Sequence, residues 1–286
     1  MVTIGIIGAG FVGITIGKGF NKLGYKVIFY DVIDKELQNF TKDMNYLIKE
    51  SDISFICVPT PTKNEEVDLT YLKEAVKNVG NALASRLKYH VVVIKSTILP
   101  GTTRNIVIPM LEKYSGKSVG KDFGVCVNPE FITEIEHTWT SDEYYKKDFF
   151  TEDRIVIGEC DKKSGDLLEE IYKPLEKPIF RVELETAEMV KYASNCMLAT
   201  KISYWNEIFL ICKAIGVNSN KVAEITSLDP RIGKYGTIHG KAFGGKCLPK
   251  DLKAFISFAK KFHEPKLLKA VDEVNELMKE KYGVRE

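Results

Sequence analysis

The 286-residue chain sets 41 Lys and Arg against 39 Asp and Glu, a formal net charge of +2, with 28% of residues charged. So balanced a chain has no bulk attraction for nucleic acid or an anionic membrane, and its apolar runs fall short of a membrane span. Its length fits one large domain or two ordinary ones, with ample material for a buried core.

Cys57, Cys126, Cys160, Cys196, Cys212 and Cys247 form no closely spaced pairs, so neither a zinc motif nor a disulfide framework is indicated. The N-terminus enters a strand at once, without a basic segment or cleavage site, and a soluble cytoplasmic protein with reduced thiols is expected.

Residues 2–7 are an apolar run leading into Gly8-Ala9-Gly10-Phe11-Val12-Gly13 and a helical segment that ends near Gly24; a second run, 26–30, closes with Asp31. Strand, glycine turn, helix and an acid about 20 residues on are the parts of a dinucleotide-binding unit. Gly8 makes the tight turn, Gly10 admits the pyrophosphate to the backbone, and Gly13 packs helix on strand. Asp31 would hold the ribose hydroxyls and repel a 2′-phosphate, which favours NAD over NADP.

Apolar strands at 54–58 and 91–95, with a helical stretch 69–87 between them, continue a parallel sheet. The first ends in Pro59-Thr60-Pro61-Thr62 and the second in a loop, 96–103, rich in hydroxyls, glycine and proline. Ligands of open parallel sheets bind outside the carboxyl ends of the strands, although the same residues also serve as ordinary turns. A strand at 123–127 ends in Asn128-Pro129-Glu130-Phe131, placing Glu130 and Glu134 just past the sheet edge, where acids are commonly only solvated. Residues 155–158 are one more strand, and 140–153 read as a charged surface excursion.

From 183 to about 215 the apolar residues recur at helical spacing and wrap more than one face, until Gly216 stops the helix. So apolar a helix is buried on several sides, against the first domain and against something else, such as the same helix of a second subunit. Lys191 and Asn195 interrupt the pattern four residues apart and so share one side. A short helical segment, 219–227, leads to a basic, glycine-rich loop with Arg231, Lys234, Lys241 and Lys246, suited to a phosphate-bearing substrate. His239 could be no more than a loop residue. The glycine pair Gly244 and Gly245 then delivers Cys247 to the start of a helix whose Pro249 suits an early position. Backbone N–H groups and nearby Lys246 and Lys250 would favour its thiolate; the alternative is a small buried hydrophobe. Helices at 252–262 and 265–278 complete the chain.

In this order the glycine turn, Cys57 to Pro61, Lys95 to Thr103, Asn128 to Phe131, the Lys191/Asn195 helix, the Asp229 to Gly233 turn and Phe243 to Asp251 resemble the UDP-glucose/GDP-mannose dehydrogenase family over almost the whole chain. The resemblance implies an α/β fold. A Rossmann-like doubly wound parallel sheet (1–182) binds NAD, and an all-helical dimerisation domain built on one long helix (183–286) carries the catalytic cysteine. It implies an enzyme that oxidises a nucleotide-sugar primary alcohol to a carboxylate with two NAD, through a bound aldehyde. Lys191, Asn195 and a water on Asp251 would stabilise the alkoxide, Thr97 would assist, Cys247 would form a thiohemiacetal and then a thioester, and Glu130 would be the base for hydrolysis. The cofactor would be lined by Gly8, Gly10, Phe11, Val12, Gly13, Asp31, Lys35, Val58, Pro59, Thr60, Ser96, Thr97, Glu134 and Lys250. The sugar and its diphosphate would meet Glu134, Tyr235, His239, Lys241, Phe243 and Gly244, with Arg231 crossing into the neighbouring subunit of a homodimer.

Two features depart from the family pattern. Thr133, Glu134 and Ile135 follow Phe131-Ile132 where the family has Arg or Ala, Glu and Gly. The family's third domain, about a hundred further residues closing over the nucleotide, has no counterpart before Glu286, so a separate chain supplying it, weakened binding or a changed role are the expectations. Rival readings are a two-domain β-hydroxyacid dehydrogenase, which oxidises once and needs no thiol, and a catalytically silent NAD-binding subunit.

Overall fold

The computed structural model describes residues 2–133 and 139–285. Near-continuous apolar runs become buried strands and the amphipathic stretches between them become covering helices. In chain order these are β1 (Thr3–Ile7), α1 (Phe11–Lys22), β2 (Lys26–Tyr30), β3 (Phe40–Thr41), α2 (Met44–Glu50) and β4 (Ile53–Ile56). A hairpin of β5 (Thr62–Lys63) and β6 (Glu66–Val67) precedes α3 (Thr70–Ala84) and β7 (His90–Ile94). A π-helical turn (Thr103–Val107) opens α4 (Ile108–Ser115), followed by β8 (Phe123–Val127), β9 (Ile155–Glu159), α5 (Lys162–Tyr172) and β10 (Ile179–Val182).

Eight strands form one sheet in the order β10-β9-β8-β7-β4-β1-β2-β3. The order reverses between β1 and β4, the switch point at which doubly wound sheets bind ligands. Alternate strand residues face opposite layers: Ile7, Ile28, Ile56, Val92 and Val125 pack with α2, α3 and α4, while Ile4, Val27, Phe55 and Val93 pack with α1 and α5. From β3 to β8 the pairing is parallel, but β9 enters antiparallel to β8, with β10 parallel to β9. The described part of the β8–β9 connection holds only a 3-10 turn (Glu143–Tyr145) and lacks the crossover helix that a parallel return requires. That connection is more than a surface excursion. Phe149 is buried against Phe20 with ring centroids 4.9 Å apart, and a Cβ on Gly19 would stand 2.2 Å from its ring.

The chain continues as α6 (Leu184–Ile215), α7 (Ser219–Thr226), β11 (Ala242–Phe243), α8 (Leu248–Ala259), α9 (Lys266–Tyr282) and β12 (Val284–Arg285). Two compact units result, divided within α6 after Lys191. The first holds the sheet and its helices. The second gathers the rest of α6, α7 to α9, the β5–β6 hairpin and the described residues of 133–146 around Trp139, Ala199, Ile202, Phe243, Leu252 and Val271.

At the amino ends of β4 and β7, away from the switch point, His90 is buried. Its Nδ1 faces the Ser51 carbonyl at 3.2 Å, which can only accept, so Nδ1 carries the proton and Nε2 accepts from Ser54 Oγ at 2.8 Å.

Candidate active site

At the carboxyl end of β1 the backbone turns at Gly8 with φ +96°, where a Cβ would lie 2.8 Å from the Cys57 carbonyl oxygen at the end of β4. Gly13 is equally constrained, since its Cβ would stand 2.0 Å from the Gly8 oxygen. Gly10 differs: a Cβ there meets nothing within 4 Å, and as N-cap of α1 it offers no side-chain acceptor to the first-turn N–H groups. The helix start beside Phe11 and Val12 is thus a cradle open to an anionic group, which fits a dinucleotide's pyrophosphate. Asp31, at the end of β2, is turned to this loop, with Oδ2 accepting from Ala9 N at 2.8 Å and Oδ1 from Ile33 N at 3.0 Å. Lys35 lies half-buried farther along that loop.

The loops after β4 and β7 clasp each other. Ser96 Oγ donates to the Val58 carbonyl at 2.6 Å, and Thr60 Oγ1 donates to the Thr97 carbonyl at 2.7 Å, with Pro59 exposed between them. The Cys57 thiol beneath is pushed up to about 12, chiefly by burial, and stays protonated.

Beyond β8 lies a cluster of four buried charges, of which sequence reasoning found only Glu130 and Lys191. Lys191 Nζ donates to Glu130 Oε1 at 2.9 Å and to its carbonyl at 2.6 Å, while Glu130 Oε2 accepts from Ile132 N at 2.7 Å. Burial alone would raise the Glu130 pKa, but the Lys191 ammonium and these hydrogen bonds outweigh it and hold the carboxyl below its usual range. Lys95 Nζ donates to Asn128 Oδ1 at 2.9 Å, Tyr172 OH donates to the same oxygen at 2.7 Å, and Asn128 Nδ2 donates to the Val156 carbonyl at 2.8 Å. Glu152 Oε1 accepts from Phe131 N at 2.6 Å, and burial raises its pKa. The strand-end segment around Glu130 is therefore gripped on both sides.

In the second unit Cys247 is the N-cap residue of α8, and its carbonyl accepts from Asp251 N at 2.9 Å. Gly245 takes φ +77°, and a Cβ on Gly244 would stand 2.3 Å from Val284. One turn on from the thiol, Asp251 is 1% exposed; its Oδ2 accepts from Asn195 Nδ2 at 2.6 Å and its Oδ1 from Lys250 Nζ at 2.6 Å. Cys247, Asp251, Asn195 and Lys250 are thus brought together, as are Glu130 and Lys191 in the first unit.

The basic loop is less uniform. His239 bridges the Thr237 carbonyl and Ser219 Oγ, and Tyr235 is half-buried against Tyr145. Lys241 is exposed, and Arg231, with 87% of its side chain exposed, turns back onto Asp229. Phe243 is not presented to a ligand: its ring is in the core and its backbone N and O are both bonded by Asn275. Glu134 lies outside the described residues.

Two polar residues of α6 passed unnoticed in the sequence. Glu188 accepts from Gly101 N at 2.6 Å and Thr103 N at 2.8 Å, and Asn206 accepts from Gly240 N at 2.8 Å while donating to the Lys241 carbonyl at 2.8 Å. With Lys191 and Asn195 they fall on one row at helical spacing, which was the available signal.

Residues 32–176 match the NAD binding domain, and residues 185–277 the central domain, of the UDP-glucose/GDP-mannose dehydrogenase family. The chain is similar to GDP-mannose 6-dehydrogenase of Pseudomonas aeruginosa, 38% identical over 281 residues, covering 88% of this chain and 63% of the relative. It is also similar to UDP-glucose 6-dehydrogenase TuaD of Bacillus subtilis, 36% identical over 305 residues, covering 96% and 63%. Among solved structures, a UDP-glucose dehydrogenase from the hyperthermophilic archaeon Pyrobaculum islandicum superposes with a TM-score of 0.89 at 34% identity, over 98% of this chain and 69% of that one. The chain thus spans 63% of the length of either curated relative.

Proposed function

Because this chain belongs to the UDP-glucose/GDP-mannose dehydrogenase family, we propose that it oxidises the C6 primary alcohol of a nucleotide sugar to a carboxylate, with Cys247 as the nucleophile. The observation that carries the reading is the seat of Cys247: it caps α8 one turn before a buried aspartate already tied to Asn195 and Lys250. NAD, when bound, supplies the hydride acceptor for each of the two oxidations.

The chain's own residues do the remaining work. Lys191 exchanges its bond to the Glu130 carboxylate for one to the C6 oxygen; the hydroxyl passes its proton to water as C6 gives up its hydride, and the ammonium stabilises the alkoxide. In the second unit Asn195 and Asp251, bonded to each other, are read as the holders of a water. After the first oxidation the Cys247 thiolate bonds to the aldehyde carbon, giving a thiohemiacetal; the helix N-terminus favours the anionic sulfur. In the second oxidation the thiohemiacetal hydroxyl passes its proton to water as C6 gives up another hydride, which leaves a thioester. Glu130 then takes a proton from water, whose oxygen bonds to the carbonyl carbon and expels the sulfur as thiolate. Met189, Met197, Tyr204, Ile211 and Ile215 are exposed along α6, and this apolar row supports a homodimer through that helix.

The test is to incubate the protein with NAD and a panel of UDP-glucose, UDP-N-acetylhexosamines and GDP-mannose, measuring NADH and acid together. About two NADH per acid are expected, and Cys247→Ser should abolish the acid while NAD still binds. Acid formed at the same rate by Cys247→Ser would remove the thiol route in favour of a single oxidation. NAD binding without turnover of any sugar would leave only a cofactor-binding subunit.

A further inference from the structure

Glu188, one turn before Lys191 on α6, is 2% exposed, and both of its carboxylate oxygens are taken by backbone N–H groups of one loop, those of Gly101 and Thr103. Among the described residues no lysine or arginine is ion-paired with it; Arg104 is bonded to Glu185 instead. Burial raises the pKa of Glu188, and the hydrogen bonds from the two backbone N–H groups oppose that rise. The geometry demands a carboxylate. Two donors converge on one side chain, and a glutamine amide would present its own NH2 to one of them. The donor side is equally specialised, because Gly101 takes φ +88°, which L side chains rarely adopt.

The loop so held is the one that begins with Ser96 and Thr97, whose other end is tied to the neighbouring loop through Val58 and Thr60. One tether lies on the strand side and one on the helix side. We infer that Glu188 is a positioning residue for NAD: it keeps residues 96–103 in the shape in which Ser96 and Thr97 meet the cofactor. The inference rests on the reading of those two residues as cofactor-lining.

The experiment titrates NAD by calorimetry into wild type, Glu188→Gln and Glu188→Asp. Thermal unfolding and hydrogen exchange over residues 96–107 are recorded alongside, and His90→Gln serves as a destabilised variant remote from the loop. Glu188→Gln should raise the NAD Kd about tenfold and speed exchange at residues 101–103. Glu188→Asp, which keeps the charge, should recover part of the affinity, and His90→Gln should leave the Kd unchanged. An unaltered Kd in folded Glu188→Gln, or an equal loss in His90→Gln, overturns the inference. Should Glu188→Gln not fold, exchange in wild type decides, since NAD must slow it at residues 101–103. Wild type that binds no NAD overturns the cofactor assignment and this inference together; wild type that binds while Glu188→Gln binds equally well overturns this inference alone.

Discussion

Lys95, Glu130, Glu152 and Lys191 are all buried, two of each sign. A cluster of this kind is tolerable only while its charges balance and its hydrogen bonds are made, so losing one partner should cost more than losing a pair. Lys191→Met is expected to destabilise the protein by about 3–5 kcal/mol, and the double variant Lys191→Met/Glu130→Leu by clearly less, as measured by urea unfolding. Asn128 and Glu130 were legible because Asn-Pro breaks an apolar strand at a place where loops carry function. Lys95 and Glu152 were not, since the groups they hold lie 33 and 21 residues away and the sheet alone brings them together. His90 gives a further test in the same unit. Burial, aided by the charge of Arg86, holds its pKa at about 3. The unfolded chain therefore binds a proton that the native state refuses between about pH 6.5 and pH 3, and stability must fall on acidification across that window, by at most about 1.4 kcal/mol per pH unit. His90→Gln should flatten this part of the pH–stability curve, and an unchanged slope would show that other groups dominate it.

The β1–α1 turn separates packing from binding at the level of one element. Gly13→Ala forces a methyl into the Gly8 carbonyl, so α1 must shift, and a loss of about 1–3 kcal/mol is expected in thermal or urea unfolding. Gly10→Ala adds a methyl to open space, so stability should hold within about 0.5 kcal/mol while NAD binding by calorimetry weakens. Equal affinity for NAD in Gly10→Ala and wild type would refute the cradle. This turn was readable in advance because its glycines answer to steric demands of the backbone, which are local. The bounds of β2, β8 and α6 were readable as well, being set by apolar runs and by Gly216. The helices α2, α4 and α5 were not seen. They are short or strongly charged, and Asp43 and Asp161, the N-caps of α2 and α5, are also what a turn would contain. For α6 the sequence suggested burial on several sides, one of them against something such as a second subunit, and in the single chain Met189, Met197, Tyr204, Ile211 and Ile215 are exposed along its length.

That row is the most extended apolar feature on any one helix of the described molecule, and Met197 alone is 60% exposed. If a second copy covers it, Met197→Lys combined with Ile211→Glu should convert a dimer to a monomer in sedimentation velocity with little change in far-UV circular dichroism. A wild type that sediments as a monomer at all concentrations would remove the dimer from the functional reading. On its other side the same 32-residue helix carries Glu188, Lys191, Asn195 and Asn206, each fastened to a different stretch of chain. All four owe their aim to a single angular phase. Glu188 and Lys191 bond within the first unit and Asn195 and Asn206 within the second, so each end of the helix keeps its own set of fastenings. Exchanging any one of the four breaks one fastening of this camshaft, whereas a proline in mid-helix would break the shaft that carries them all.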